Sequence, residues 1–235
     1  MCIRDSRYVV KMRGAGHGTK ALIAELIGGE IARRLGFRVP ELVFLDLDSR
    51  FGITEADEEI QDLLKWSQGL NLGLHYLQGS ITWDPLTHRL PGLEASLVVW
   101  LDAFITNIDR TRKNPNMLAW YGEPWLIDHG AALYFHHAWS DPQKAALSPF
   151  PYVKDHLLIR QADSLKEADR IAHERLSEAD FREITALIPD DWLQWEDAAG
   201  SPEELRQAYT DFLTTRFANS NIFTDHAIQA RGLLV

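Results

Sequence analysis

Cysteine is almost absent from this sequence, since Cys2 is the only one in 235 residues. A single cysteine excludes an intramolecular disulfide, which fits a reducing compartment, and we therefore expect a cytoplasmic protein. Long apolar runs are also missing. The longest, near Leu93–Ile105, is interrupted by Glu94 and Asp102, so the sequence predicts no membrane-spanning segment.

Basic residues are in the minority as well. The chain has 24 Lys and Arg residues against 34 Asp and Glu residues, which gives a net charge of −10. This balance argues against a broad surface for nucleic acid or anionic membranes, so we expect neither as a partner. The length allows either one domain or a two-lobed pair with a substantial core.

Two short segments carry most of the chemical information. The first, Asn107–Asn114, places Asp109 and Asn114 five positions apart after an apolar helical run. The second, Leu126–Gly130, reads Leu-Ile-Asp-His-Gly and places Asp128 at the end of a short apolar strand. Phosphoryl transfer from ATP needs these parts: one carboxylate orients or deprotonates the acceptor hydroxyl, while an Asn oxygen and a second carboxylate hold Mg²⁺.

Each of these motifs alone is weak, because Asp-x-x-x-x-Asn occurs often by chance and Asp-His-Gly is also an ordinary turn. The intervening sequence strengthens the pair. Met117–Tyr121 and Trp125–Ile127 flank a Gly-Glu-Pro turn and predict a β-hairpin, which would bring the two motifs to one end of a ribbon. Helix, loop, hairpin and acidic turn follow one another in this order in protein kinases.

The first third of the chain contains a second group of candidate functional residues. Arg7–Met12 reads as a strand with Lys11 near its end, and Lys20–Leu35 has apolar residues at steps of three and four, which predicts an amphipathic helix. Glu25 lies within the apolar register, where an unpaired carboxylate would be costly. We therefore predict a Lys11–Glu25 ion pair of the kinase type; the alternative is a solvated Glu25 on the helix flank.

The turn between this strand and helix, Gly14–Gly18, is glycine-rich but matches no nucleotide-binding motif. The dinucleotide fingerprint needs a glycine where Thr19 stands, and a P-loop needs Gly-Lys-Ser/Thr, whereas the order here is Gly-Thr-Lys. We interpret the turn as a connection that lies near phosphate, because Arg13, Lys20 and backbone amides are close to it.

Together these segments make residues 7–140 resemble the HipA-like kinases, above all the short, single-domain branch of that family. The resemblance is carried by Tyr8–Lys11, Ala21–Leu26, Ile31–Gly36, Val39–Glu41, Asn107–Asn114 and Leu126–Leu133. It implies an α+β, bilobal protein-kinase-like fold with a small β-rich N-lobe and a mainly helical C-lobe. It also implies an ATP- and Mg²⁺-dependent phosphotransferase of the Ser/Thr protein kinase type.

The resemblance assigns roles to particular residues. Lys11 and Glu25 would form the nucleotide-side pair, Asp109 would be the catalytic base, and Asn114 and Asp128 would bind Mg²⁺. Lys113 matches a basic position in the family's catalytic loop, where we expect it to contact the transferred phosphate.

Adenine contacts are expected in a different segment. Leu70–Gly79 alternates enough to predict a strand, and in a kinase the corresponding strand leads to the hinge between the lobes. We place the adenine contacts near Tyr76, Leu77 and Gln78, through backbone groups; the alternative is an ordinary core strand.

The organisation of the chain follows from the same resemblance. Residues 1–6 match no pattern and are interpreted as a non-native start, residues 7–79 as N-lobe and hinge, and residues 80–235 as C-lobe. The family carries a phosphate-clasping segment before the lysine strand, for which six residues are too short. We therefore expect the intact protein to begin upstream, and the chain as given to transfer phosphate poorly.

Later helices are predicted over Ser164–Arg175, Glu178–Leu187 and Pro202–Phe217, with caps at Asp163, Ser177 and Ser201.

Two other functions remain open at this point. His129, His136 and His137 lie near Asp128 and suggest a metal-dependent hydrolase, although no His-x-x-x-His motif accompanies them. A nucleotide-binding pseudokinase would keep the fold without turnover. The predicted partners are a nucleotide and an unidentified protein or small-molecule phosphoacceptor.

Overall fold

The computed structural model describes residues 2–3, 6–139, 141–195 and 200–235. This part of the chain is a mixed α+β structure with two small antiparallel sheets and a mainly helical remainder. The strands are β1 (Cys2–Ile3), β2 (Ser6–Lys11), β3 (Leu42–Leu47), β4 (Gly69–His75), β5 (Ile81–Thr82), β6 (Met117–Trp120) and β7 (Glu123–Leu126). The helices are α1 (Thr19–Arg34), α2 (Glu58–Trp66), α3 (Gly92–Phe104), α4 (Phe135–Ala138), α5 (Pro142–Ala146), α6 (Leu165–Arg175), α7 (Glu178–Ala186), α8 (Pro202–Ala218) and α9 (Asn221–Gly232). Short 3₁₀ helices cover Pro151–Asp155 and Asp190–Trp192.

The first sheet has the order β1-β2-β4-β3 and carries Lys11 at the end of β2. Lys11 lies opposite Leu72 of β4, and Leu72 in turn pairs with Phe44 of β3. Cys2–Ile3 pair with β2 as β1, and the interpretation of residues 1–6 as a non-native start remains a prediction. Residues 1, 4 and 5 lie outside the described part of the chain.

Helix α1 packs behind this sheet and is more deeply buried than the sequence predicts. The spacing of its apolar residues predicts one apolar face, but ten of its sixteen residues are buried. Gly28 and Gly29 are among them, because Gly28 lies against His129 and Gly29 against Leu42, and α1 also contacts helix α7. The helix ends as predicted before Gly36, whose φ of 91° suits a residue without a side chain.

The second sheet has the order β5-β6-β7 and includes the predicted hairpin. Met117 pairs with Leu126 at its open end, and the turn residues Tyr121 and Gly122 have φ values of 49° and 80°. Positive φ at both central positions matches the twist of a two-residue hairpin turn. The strand predicted up to Gly79 ends instead at His75, since the chain then leaves the first sheet.

The core of the helical part is an aromatic cluster around α3. The Trp100 and Phe104 rings stack 5.1 Å apart, and Phe181, Phe217 and Phe223 pack against them from α7, α8 and α9. This cluster buries large apolar surfaces and fixes α3, the helix that leads into Asp109. Throughout the described residues, no helix combines the length and apolarity needed to cross a bilayer.

Two of the three predicted helix caps are confirmed. Ser177 and Ser201 form capping boxes at the starts of α7 and α8. The prediction for Asp163 is wrong, because the residue before α6 is Ser164 and makes no side-chain cap. The Asp163 carboxylate lies instead against Gly92 in the first turn of α3, where the positive end of that helix dipole favours it.

Candidate active site

Lys11 stands at the end of β2 between two carboxylates. Its Nζ lies 2.6 Å from Glu25 Oε2 of α1 and also contacts Asp128 Oδ1. The Lys11 side chain is about a quarter exposed (24%), Glu25 is fully buried and the Asp128 side chain is about half exposed (48%). The structure thus brings together the predicted Lys11–Glu25 pair and adds Asp128 to it.

The charges in this group stabilise each other. Burial alone would raise the pKa of Glu25, but His129 and Lys11 beside it lower that pKa to about 2. Burial lowers the pKa of Lys11, yet Glu25 and Asp128 outweigh it and raise the pKa above the usual value. At neutral pH the group is therefore an ammonium held between two carboxylates.

Asp128 follows β7 in a backbone conformation that few residues adopt. Its φ is 56°, in the left-handed region, where Asp and Asn are tolerated better than other side chains. The Asn116 side chain donates to the Asp128 carbonyl at 3.4 Å and supports this bend. The turn directs the Asp128 carboxylate toward Lys11.

Asp109 is held on one side by two amides. Asn114 Nδ2 donates to Asp109 Oδ2 at 2.6 Å, and Asn116 Nδ2 donates to the same oxygen at 3.3 Å. The loop closes locally because the Thr111 N–H donates to the Asn114 carbonyl at 2.9 Å. Within the described part of the chain, Asp109 Oδ1 and Asn114 Oδ1 accept no hydrogen bond and remain available to ligands.

These groups meet in one cleft. Lys11, Asp109 and Asp128 line a cavity of about 720 Å³, together with Gly16 and His17 of the glycine-rich turn. This volume lies within the range of small-molecule sites. A cation and two acidic groups around one cleft, with the exposed Asn114 amide bonded to Asp109, are parts that a bound triphosphate and its metal require.

A family model matches most of the chain. The model of the HipA-like kinase family matches residues 1–225. The chain belongs to the HipA-like kinase family. No curated protein sequence matches it significantly.

Among solved structures, the fold of this HipA-like kinase is similar to the crystal structure of a Helicobacter pylori proinflammatory kinase, CtkA. The TM-score is 0.53 at 14% sequence identity, and the match covers 100% of this chain and 94% of that chain. At this identity the likeness concerns the fold alone. It supports the predicted α+β, kinase-like fold.

A buried polar network holds the loop of this HipA-like kinase from behind. Asp102 of α3 accepts hydrogen bonds from Arg110 Nε at 2.6 Å, His156 Nε2 at 2.8 Å and Asn107 Nδ2 at 2.9 Å. His156 Nδ1 accepts from the Leu158 N–H at 3.0 Å, so Nε2 is the ring nitrogen that donates to Asp102. Burial opposes the charge of Asp102, but Arg110 and His156 hold its pKa below the usual value.

Metal binding by this site can be judged from its donors. In the described residues, no three His, Cys, Asp or Glu side chains are grouped so as to hold a metal by themselves. Mg²⁺ does not require such a cage, because it typically takes one or two carboxylates and completes its shell with water and substrate phosphates. The half-exposed Asp128 carboxylate and the Asn114 amide oxygen fit that mode.

The glycine-rich turn lies at the cleft, and its two flanking cations also contact a later segment of the chain. Ala15, Gly16 and His17 line the cavity. Arg13 Nη2 donates to the Asp191 carbonyl at 3.3 Å, and Lys20 lies over the Trp195 ring at 5.0 Å. Both contacts are with the segment after α7, and the closeness of this turn to bound phosphate remains a prediction.

The other predicted site residues lie outside the cavity lining. Lys113 is exposed and lines a second pocket. Tyr76 donates its N–H to the Arg7 carbonyl at 2.8 Å, and the Gln78 carbonyl accepts from Trp120 Nε1 at 3.0 Å. Leu77 is buried between them. The adenine contacts assigned to this hinge remain a prediction.

The histidines near Asp128 do not form a shared site. His129 is buried against α1, where its Nδ1 lies 3.6 Å from Glu25 Oε1. His136 Nδ1 lies 3.0 Å from the Tyr209 hydroxyl. The His137 ring is tilted against His17 at 4.7 Å and meets the His136 ring edge-on at 4.5 Å. Among the described residues, these histidines are not grouped with other His, Cys, Asp or Glu side chains so as to hold a metal, and the metal-dependent hydrolase therefore gains no support.

Four residues of the site were not identified from the sequence. Asn116 and Asn107 contact Asp109, and Asp102 and His156 fix the loop. A signal existed for Asn116, because a second Asn follows Asn114 by two positions in a loop that needs left-handed residues. No local signal marks His156, which reaches the loop from a segment far along the chain.

Proposed function

We propose that this HipA-like kinase is an ATP- and Mg²⁺-dependent phosphotransferase that acts on serine or threonine hydroxyls of a protein. The observation that carries the proposal is the convergence of Lys11, Asp109 and Asp128 on one cleft, with Glu25 behind Lys11. Membership of the family supports the kinase type of activity.

The proposed contacts with the nucleotide come from residues of the first sheet and the hinge. Lys11 is expected to contact the α- and β-phosphates, with Glu25 fixing its position. Val9 precedes Lys11 by two positions and so lies on the same face of β2, with 52% of its surface exposed for contact with adenine. The N–H groups of Leu77 and Gln78, which donate to no other described residue, are the expected polar contacts.

The residues that would hold Mg²⁺ are Asp128 and Asn114, one through a carboxylate and the other through its amide oxygen. When bound, the ion neutralises phosphate charge and fixes the orientation of the β- and γ-phosphates. Lys11 already contacts Asp128, so the same carboxylate links the nucleotide-binding lysine to the metal position.

Asp109 is expected to act on the acceptor hydroxyl. Its Oδ2 is fixed by the amides of Asn114 and Asn116, which leaves Oδ1 to orient the hydroxyl and accept its proton. The hydroxyl oxygen forms a bond to the γ-phosphorus as the bond from that phosphorus to the β,γ-bridging oxygen breaks, and ADP leaves. Holding the two reactants in line is the main contribution of such a site.

The test is transfer of label from [γ-³²P]ATP, with and without Mg²⁺, to the protein itself and to a mixture of dephosphorylated proteins. We expect label on serine or threonine that disappears with EDTA. Thermal stabilisation by ATP and Mg²⁺ without transfer would replace the proposal with a nucleotide-binding module. If ATP and Mg²⁺ produce no thermal stabilisation and no transfer of label, the result contradicts nucleotide binding altogether.

A further inference from the structure

A second cavity, of about 410 Å³, includes Thr111, Arg112 and Lys113 of the loop after Asp109 and shares no lining residue with the cleft at Lys11. Four cationic side chains and one carboxylate line it, and a buried histidine forms part of its wall. These residues are Arg112, Lys113, Lys154, Arg160, Asp155 and His156. We call this cavity the basic pocket.

The cations of the basic pocket have no partners of their own. All four are exposed, and none makes an ion pair or a side-chain hydrogen bond to another described residue. Elsewhere on the surface, arginines are commonly paired, as in Arg34 with Asp180 and Arg38 with Glu123. In a chain with a net charge of −10, four unpaired cations around one cavity mark a site for an anion.

The pocket is directly connected to the catalytic loop. Arg112 follows Asp109 by three residues, so their Cα atoms are at most about 11 Å apart at 3.8 Å per step. Thr111 pairs with His156 in an isolated β-bridge, and the Leu157 N–H donates to the Arg110 carbonyl at 3.0 Å. The wall of the pocket is therefore fixed by the same network that positions Asp109.

The geometry points to a docking site for an acidic segment of the protein acceptor, with carboxylate or phosphate groups bound by Arg112, Lys113, Lys154 and Arg160. Its place beside the acceptor hydroxyl rests on the proposed function, whereas binding of an acidic peptide does not. At about 3.3–3.6 Å per residue, an extended acceptor whose hydroxyl lies at Asp109 reaches the pocket within about three to four residues.

A peptide fits this pocket better than a nucleic acid does. Nucleic-acid surfaces carry basic residues over an extended stripe or face, and each neutralised phosphate needs a cation. Here the cations are confined to one cavity that also contains Asp155. A short acidic segment matches that size and charge.

The first test measures binding without nucleotide. A labelled peptide with four glutamates and no hydroxyl residue is titrated against the full chain, beside a matched peptide with four glutamines. We expect the glutamate peptide to bind more tightly and to lose affinity at high salt. Lys154→Glu with Arg160→Glu should weaken its binding about tenfold, because two attractive contacts become repulsive.

A matched control separates local from overall charge. Lys144→Glu with Lys166→Glu changes the net charge equally at two exposed positions outside the pocket, and we expect near-normal binding. Equal affinity for the two peptides, or an equal loss of affinity in both double variants, would overturn the proposal that the basic pocket binds an acidic peptide. Tighter binding of a short DNA strand with the same sensitivity to Lys154→Glu and Arg160→Glu would overturn the assignment to an acidic peptide.

A second test distinguishes this proposal from the proposed function. Serine peptides with glutamate three residues from the serine are compared with glutamine versions for phosphorylation by ATP. We expect a higher kcat/KM for the glutamate peptides and loss of the preference in Lys154→Glu with Arg160→Glu. If glutamate and glutamine peptides are phosphorylated equally well, the result overturns the docking site but still supports the proposed kinase activity. Glutamate-dependent binding without phosphorylation supports the pocket and contradicts the kinase.

Discussion

Asp109 offers one carboxylate oxygen to the cleft while Asn114 and Asn116 hold the other. Asp109→Asn keeps the shape of the side chain but removes the proton acceptor, so we expect phosphoryl transfer to fall by roughly 10²–10⁴-fold. ATP affinity should change little, because the base acts in the transition state. Single-turnover transfer and nucleotide binding measure the two effects. Full activity in the variant would exclude Asp109 as the base.

A change at Asp128 is expected to affect the binding of ATP with Mg²⁺, in contrast to the change at Asp109. Asp128→Ala removes the main anionic group expected to hold Mg²⁺, so ATP should bind no better with Mg²⁺ than with EDTA. Its side chain is about half exposed, but alanine is disfavoured at a φ of 56°, and we expect the free energy of unfolding to fall by about 1–2 kcal/mol. Calorimetric titration with ATP checks the prediction, with Asp46→Ala on the exposed side of β3 as control. Unchanged Mg²⁺-dependent affinity would contradict the assignment.

At the scale of elements, α1 approaches the Asp-His-Gly turn through a glycine. A Cβ built on Gly28 would lie 2.7 Å from the His129 Cβ, which is too close for either backbone to stay in place. We expect Gly28→Ala to lower the free energy of unfolding by about 1–3 kcal/mol, as overpacking does. Gly232→Ala is the control, since its Cβ meets nothing within 4 Å at the end of α9. Urea denaturation compares the two.

The conformation of the Asn107–Asn114 loop, which carries Asp109, depends on Asp102 of α3. Asp102→Asn leaves the buried Arg110 without its carboxylate, and we expect the stability to fall by about 3–5 kcal/mol. Phosphoryl transfer should fall more than ATP affinity, because the network positions Asp109 and not Lys11. Asp48→Asn breaks an exposed pair with Arg50 and should not change stability measurably. Equal stability of the two variants would contradict the role of the network.

For the whole molecule, the buried ionisable groups predict acid sensitivity. His136, Glu25 and Asp102 all have pKa values below their usual ones, with burial the main cause for His136 and neighbouring cations for the two acids. A lowered pKa means that the unfolded chain binds protons first, so stability falls as pH falls. The loss begins near pH 6.5 through His136 and continues from pH 4.5 toward 2 through Glu25.

Urea denaturation at pH 7.5, 6, 5 and 4 measures this loss. Glu25→Gln should flatten the curve below pH 4.5, although it is less stable at neutral pH because it breaks the pair with Lys11. Glu30→Gln on the same helix is the control, since Glu30 pairs with Arg33 at the surface. A free energy of unfolding that does not change between pH 7.5 and 4 would contradict the prediction.

Local features of the fold were predictable from the sequence. The extent of α1, the β6–β7 hairpin and the caps at Ser177 and Ser201 follow from apolar spacing, turn residues and side-chain hydrogen bonds within a few positions. Helix α9 was not predicted, because its first turn lacks a capping side chain and Ile, Phe and Thr favour strands as much as helices. The end of β4 at His75 depends on its partners, which a single segment does not reveal.

The sequence by itself determined the family of this protein and the spacing of Asp109, Asn114 and Asp128, since those features lie within short segments whose backbone preferences are local. Only the tertiary structure decided which groups support and surround them. The Asp102–His156 contact and the basic pocket join segments more than forty residues apart. Such pairings depend on how distant side chains pack, and packing leaves no pattern in the spacing of residues along the chain.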